Sequence, residues 1–120
     1  MPAPDQDELP IFTAWMQFLE WLLPATEKFP KRVRFTFADR INSLALDIAE
    51  DLVEARYSRD KQAILRRVNL RLEKLRVLLR LCHRLQYLPH AGYEHAAKSV
   101  NAVGRMLGGW AREQQQRGRP

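Results

Sequence analysis

A chain of 120 residues can bury one hydrophobic core and is too short for two domains of ordinary size. Apolar residues at 46% and charged ones at 28% exclude a chain too polar to fold, and no stretch approaches the ~18 uninterrupted apolar residues of a membrane span. The net charge of +6 hides a segregation: residues 1–60 hold seven Lys and Arg against eleven Asp and Glu, residues 61–120 thirteen against three, so the halves carry −4 and +10.

The first nine residues are acidic (Asp5, Asp7, Glu8) and lack both a basic start and an apolar run, so no signal peptide is expected. They read as a disordered tail. A lone cysteine, Cys82, cannot close an internal disulfide, which points to a reducing, cytoplasmic setting.

Helical periodicity governs the rest, and no apolar–polar alternation of period two is present. The first helix is predicted over 10–27, with Pro10 in its first turn and the rows Ile11, Trp15, Phe18, Leu22 and Phe12, Met16, Leu19, Leu23 covering a wide face. Pro24 should kink or loosen its last turn, and Pro30 marks the connection. The second helix should begin between Lys31 and Phe35 and end near Arg56, turning Phe37, Ile41, Leu44, Ala45, Ile48 and Leu52 inward. Asp47, Glu50, Asp51 and Glu54 then form an acidic rail on its solvent side.

Ser58 or Asp60 is expected to cap a third helix that reaches Gln86 or Leu88. Its core row is Leu65, Val68, Leu72, Leu75, Leu79 and Cys82, and a second apolar set, Leu70, Val77, Leu78, Leu81 and Leu85, lies on another side. A helix apolar on two sides is central or has a second partner. After a turn at Pro89, the fourth helix should run over 94–115 with Ala96, Val100, Val103, Leu107 and Trp110 inward. Gly104 and Gly108 are unfavourable in a helix by about 1 kcal/mol each, and close helix approach is the expected return. Residues 10–115 therefore read as an all-α, antiparallel up-down four-helix bundle, and residues 116–120 as a short basic tail.

Catalytic chemistry finds little support. His83, His90 and His95 have neither the spacing of a metal site nor a paired Cys motif, and the glycines lie within a helix rather than in a phosphate-cradling loop. No enzyme activity, metal or cofactor is expected. The basic residues say more. Arg76, Arg80 and Arg84 follow at four-residue steps with Arg66 at a similar angle; Arg67, Arg71 and Lys74 form a second cluster; Lys98, Arg105 and Arg112 recur at sevens. Such rows can follow a phosphate backbone with salt-sensitive, sequence-independent affinity. They can equally be solvated faces or partners of the acidic rail. Aromatic interleaving is sparse, so sequence-specific reading of bases is not expected.

Three stretches resemble a known family: Trp21–Lys31 (WLLPATEKFPK), Leu75–Leu81 (LRVLLRL) and Val103–Trp110 (VGRMLGGW). They are similar to the kinked first helix, the basic third-helix motif and the Gly-Arg-x-Leu-Gly-Gly-Trp ending of the accessory variability determinant (Avd) proteins of diversity-generating retroelements. These belong to a wider group of bacterial four-helix bundles first noted in ribosomal RNA intervening sequences. The resemblance implies a homo-oligomeric ring like the pentameric Avd barrel, binding a reverse transcriptase and RNA or DNA to support error-prone copying and mutagenic retrohoming, without membrane attachment. By motif it places Arg76, Arg80 and Arg105 at the polymerase or nucleic-acid contact. Lys74, Arg84 and Arg112 join them on periodicity, and the rail of Asp47, Glu50, Asp51 and Glu54 suits a head-to-tail contact between copies. The alternative is an interaction bundle of the wider group with no nucleic-acid role.

Overall fold

The computed structural model describes residues 9–117, so most of the expected N-terminal tail and the last residues of the C-terminal one lie outside the described residues. Four α-helices make up the fold: α1 (Pro10–Glu27), α2 (Asp39–Tyr57), α3 (Gln62–Arg84) and α4 (His90–Arg117). No strand occurs among the described residues. Each helix packs on the next, and α4 closes on α1. Short links between packed neighbours make them antiparallel, as side-chain contacts confirm. The Gln62 amide donates to the Ala111 carbonyl, joining the start of α3 to the end of α4, while Trp21 of α1 meets His95 of α4 at 4.6 Å between ring centroids.

Burial follows the helical stripes. Ile11, Trp15, Phe18 and Leu22 of α1, Ile41, Ala45, Ile48 and Leu52 of α2, the whole row from Leu65 to Cys82 on α3, and Ala96, Val100, Val103 and Leu107 of α4 form one core. Trp15 places its indole in that core and donates to the Ala45 carbonyl of α2 at 2.8 Å, which removes the cost of burying its N–H. Trp110 is half-buried against the same core.

Helix α1 has the bounds expected from the sequence, whereas the starts of α2, α3 and α4 and the end of α3 differ. Helix α1 runs through Pro24 to Glu27, because the missing N–H falls near an end where buried Leu22 and Thr26 still hold the turn. The second helical segment opens with a 3-10 turn over Lys31–Val33 and a π-helical turn over Arg34–Ala38 before α2 becomes regular. The wide turn leaves Phe35 83% exposed.

Neither Ser58 nor Asp60 caps α3, which begins after Lys61. Lys61 instead turns back and donates to the carbonyls of Ala55, Arg56 and Ser58 at 2.7–3.0 Å, satisfying acceptors that the end of α2 leaves open. Helix α3 stops at Arg84, short of Gln86, in a Schellman arrangement. The Tyr87 N–H bonds the Cys82 carbonyl at 2.9 Å and the Gln86 N–H bonds that of His83 at 3.0 Å. Gln86 stands at φ 67°, the position where glycine is usual. Helix α4 starts a turn earlier than expected, at His90, and continues to Arg117.

Candidate nucleic-acid and partner surface

Opposite charges on facing helix sides pair first, and α2 and α3 illustrate this. Asp51 does not lie on a solvent face as expected of the rail. It is 6% exposed, turned into the α2–α3 seam, where Arg67 donates to it at 2.9 Å and Arg71 also binds it. Glu54 takes a second bond from Arg67. Hydrogen bonds to Asp51, then to Glu54, hold the Arg67 pKa above its ordinary value. The rail and the second basic cluster thus meet in part within one protomer, while Glu50 stays exposed. Asp47 and Lys74 line a groove between α2 and α3 of about 760 Å³, together with Phe35, Leu44, Val77 and Leu78.

The remaining cations follow the other seam. On helical geometry, Arg66, Arg80 and Arg84 lie on the outward side of α3 that faces toward α4, and Arg105 and Arg112 lie on the adjoining side of α4. All five are exposed, and none has an ion pair among the described residues. Lys98, the third member of the α4 row, pairs with Glu94 at 3.3 Å. Arg76 sits in the seam itself: it binds Glu73 and donates through Nε to Asn101 Oδ1 of α4 at 3.1 Å.

The space above Gly104 and Gly108 is not used for close approach of a neighbouring helix, as the sequence led one to expect. Guanidinium groups take it. Arg76 lies over Gly104, and Arg112, one turn on, folds back beside Gly108 and Gly109. The missing Cβ of Gly104 is what lets Arg76 lie against α4, while Arg112 stands at ordinary contact distance from Gly108 and Gly109.

A cleft of about 280 Å³ opens in this seam, lined by Arg76, Arg80, Tyr93, Ala97, Val100 and Asn101 among others. Tyr93 is held by a parallel stack on His83, with centroids 4.6 Å apart and planes 3° apart, and His83 Nδ1 lies 3.2 Å from the Leu88 carbonyl. Sequence periodicity did not single out this Tyr–His pair, since the partners lie on different helices. Tyr87, by contrast, packs against Phe29 and Phe37 and serves the core.

An apolar strip borders the arginines. Leu70, Val77 and Leu81 lie within one narrow sector of α3 and remain half exposed, with Leu85 beyond them. This is the second apolar set seen in the sequence; only Leu78 turns toward the core. Among the described residues no three His, Cys, Asp or Glu side chains assemble as a metal site requires, and no helix is long and apolar enough to cross a membrane. Cys82 is buried in the core, and desolvation pushes its thiol pKa up to about 11, so it is held as a neutral packing group.

A family model described as bAvd-like matches residues 11–114. No curated protein matches the chain.

Proposed function

The chain belongs to the bAvd-like family, and from that premise we propose that it is a noncatalytic accessory protein of a diversity-generating retroelement. In this reading it acts in the cytoplasm, binding the element's reverse transcriptase together with RNA or DNA in support of error-prone reverse transcription and mutagenic retrohoming. The observation that carries the reading is the division of the cations. Arg67 and Arg71 have acidic partners inside the protomer, whereas Arg66, Arg80, Arg84, Arg105 and Arg112 border one seam without any among the described residues. Unpaired guanidinium groups in rows call for an anion from outside, and a phosphate backbone supplies anions at regular spacing.

Arg80 and Arg105 are the primary contacts, with Arg84 and Arg112 extending the track. Arg76 positions the seam, its charge being shared with Glu73. Lys74 lies over the other seam, in the α2–α3 groove, and belongs with the partner-facing surface. Self-association, which the homopentameric ring implied by the family resemblance requires, is supported by the half-exposed strip of Leu70, Val77 and Leu81 and by Phe35, apolar area that a second copy would cover.

Binding of RNA and DNA across a salt series tests the reading: log affinity should fall linearly with log salt, and Arg80→Glu with Arg105→Glu should abolish binding while helicity stays intact. Affinity indifferent to salt overturns it. Light scattering of the purified protein tests the ring, which a monomer overturns.

A further inference from the structure

We propose that the α3–α4 cleft beside Arg80 receives one unpaired nucleobase, so that this surface holds single-stranded rather than fully paired nucleic acid. The inference rests on the nucleic-acid reading above and adds to it a base site, where that reading needed only phosphates.

Size sets the first limit. At about 280 Å³ the cleft falls just under the ~300–1,000 Å³ of sites for drug-sized ligands, which suits a single planar ring system. Its floor is apolar, since Leu79 and Val100 are buried core residues. Tyr93 forms a wall, and its stack on His83 fixes the ring before any ligand arrives. An aromatic wall of this kind is what unpaired bases stack against, whichever base is offered.

Charge decides between base and phosphate as the occupant. Within the cleft, the Arg76 guanidinium is already bound to the Glu73 carboxylate and to Asn101, so an anion placed inside would meet a carboxylate as well as a cation. A neutral base meets no such opposition. The amide nitrogen of Asn101 has no protein partner among the described residues, leaving donors for a base carbonyl or ring nitrogen, and Glu73 can accept from an exocyclic amine. Arg80 lies at the mouth without an ion pair. The arrangement is cationic outside and neutral inside, matching a nucleotide whose phosphate stays on the surface while its base turns in.

The test compares a twelve-residue oligothymidylate with a strand of equal length and charge made of abasic units, each titrated by fluorescence anisotropy against the full chain. The base-bearing strand should bind about tenfold more tightly. Ala97→Leu, which fills the cleft and changes no charge, and Tyr93→Ala should bring the two affinities together. Photocrosslinking from 4-thiothymidine on the wild-type protein should reach Tyr93 or Asn101, which keeps the test decisive if a variant fails to fold. Equal affinities with a normal salt dependence, or crosslinks confined to residues outside the cleft, overturn the base site and leave the phosphate-binding surface standing. If neither strand binds, both are overturned.

Discussion

Arg76 of α3 lies in the space that a side chain on Gly104 of α4 would fill: a Cβ there would stand 2.8 Å from Arg76 Nη2. Gly104→Ala must therefore shift the end of the Arg76 side chain, and the strain this puts on its bonds to Glu73 and Asn101 subtracts from the ~1 kcal/mol that alanine gains over glycine in a helix. At Gly109 the same methyl would meet only Arg112 Nη2 at 4.0 Å, an ordinary contact. Gly109→Ala should thus be the more stabilising change, by about 1 kcal/mol. Urea denaturation of the two variants measures the difference, and equal midpoints would contradict the role of Arg76.

Asp51 accepts from two arginines at a buried position, so Asp51→Ala leaves Arg71 without its partner and Arg67 with Glu54 alone. The expected loss is about 1–3 kcal/mol, at the lower end of buried ion-pair disruption because Arg67 can still reach water. Asp47→Ala and Glu50→Ala should stay within about 0.5 kcal/mol of wild type. Chemical denaturation distinguishes these cases.

Gln86 occupies the left-handed position of the Schellman turn that ends α3. Gln86→Gly should stabilise the fold by about 1 kcal/mol, since an L side chain is disfavoured there by roughly that amount. Gln86→Val should destabilise it. Thermal melts would show a rise of a few degrees for the first and a fall for the second.

Cys82 should resist alkylation in the folded protein and react at once in denaturant, which a thiol-labelling time course would show. Its folded pKa is raised above that of the unfolded thiol. The stability it contributes is complete below about pH 9 and declines as pH rises toward about 11, because the unfolded chain releases the proton first. Cys82→Ala should remove that share of the alkaline decline, read as a difference between the two proteins' denaturation midpoints across the window.

The core stripes were legible from sequence because the helical period translates directly into burial: every residue of the row from Leu65 to Cys82 is buried. Asp51 was misplaced for a related reason. It projects beside Leu44, at the margin where solvent face and helix seam meet, and periodicity cannot say which neighbour will cover a margin. The simultaneous presence of Arg67 and Arg71 one turn apart on α3 was the available signal. Lys61 as the cap of α2 had no such signal, since a long amine that reaches three carbonyls depends on the path of the loop. The cleft was equally hidden, because Arg80, Tyr93 and Asn101 converge only once α3 and α4 have packed.

The π-helical turn at Arg34–Ala38 holds one residue more than an α-helical path needs. It therefore acts as a length buffer between the first helix and the second. A chain shortened by deletion of Thr36 could wind as ordinary helix there and keep every contact from Ile41 onward. What would change is the bearing of Phe35, swung by about 100° away from the groove rim. Length variation at this point can alter what the surface offers a partner while leaving the interior untouched.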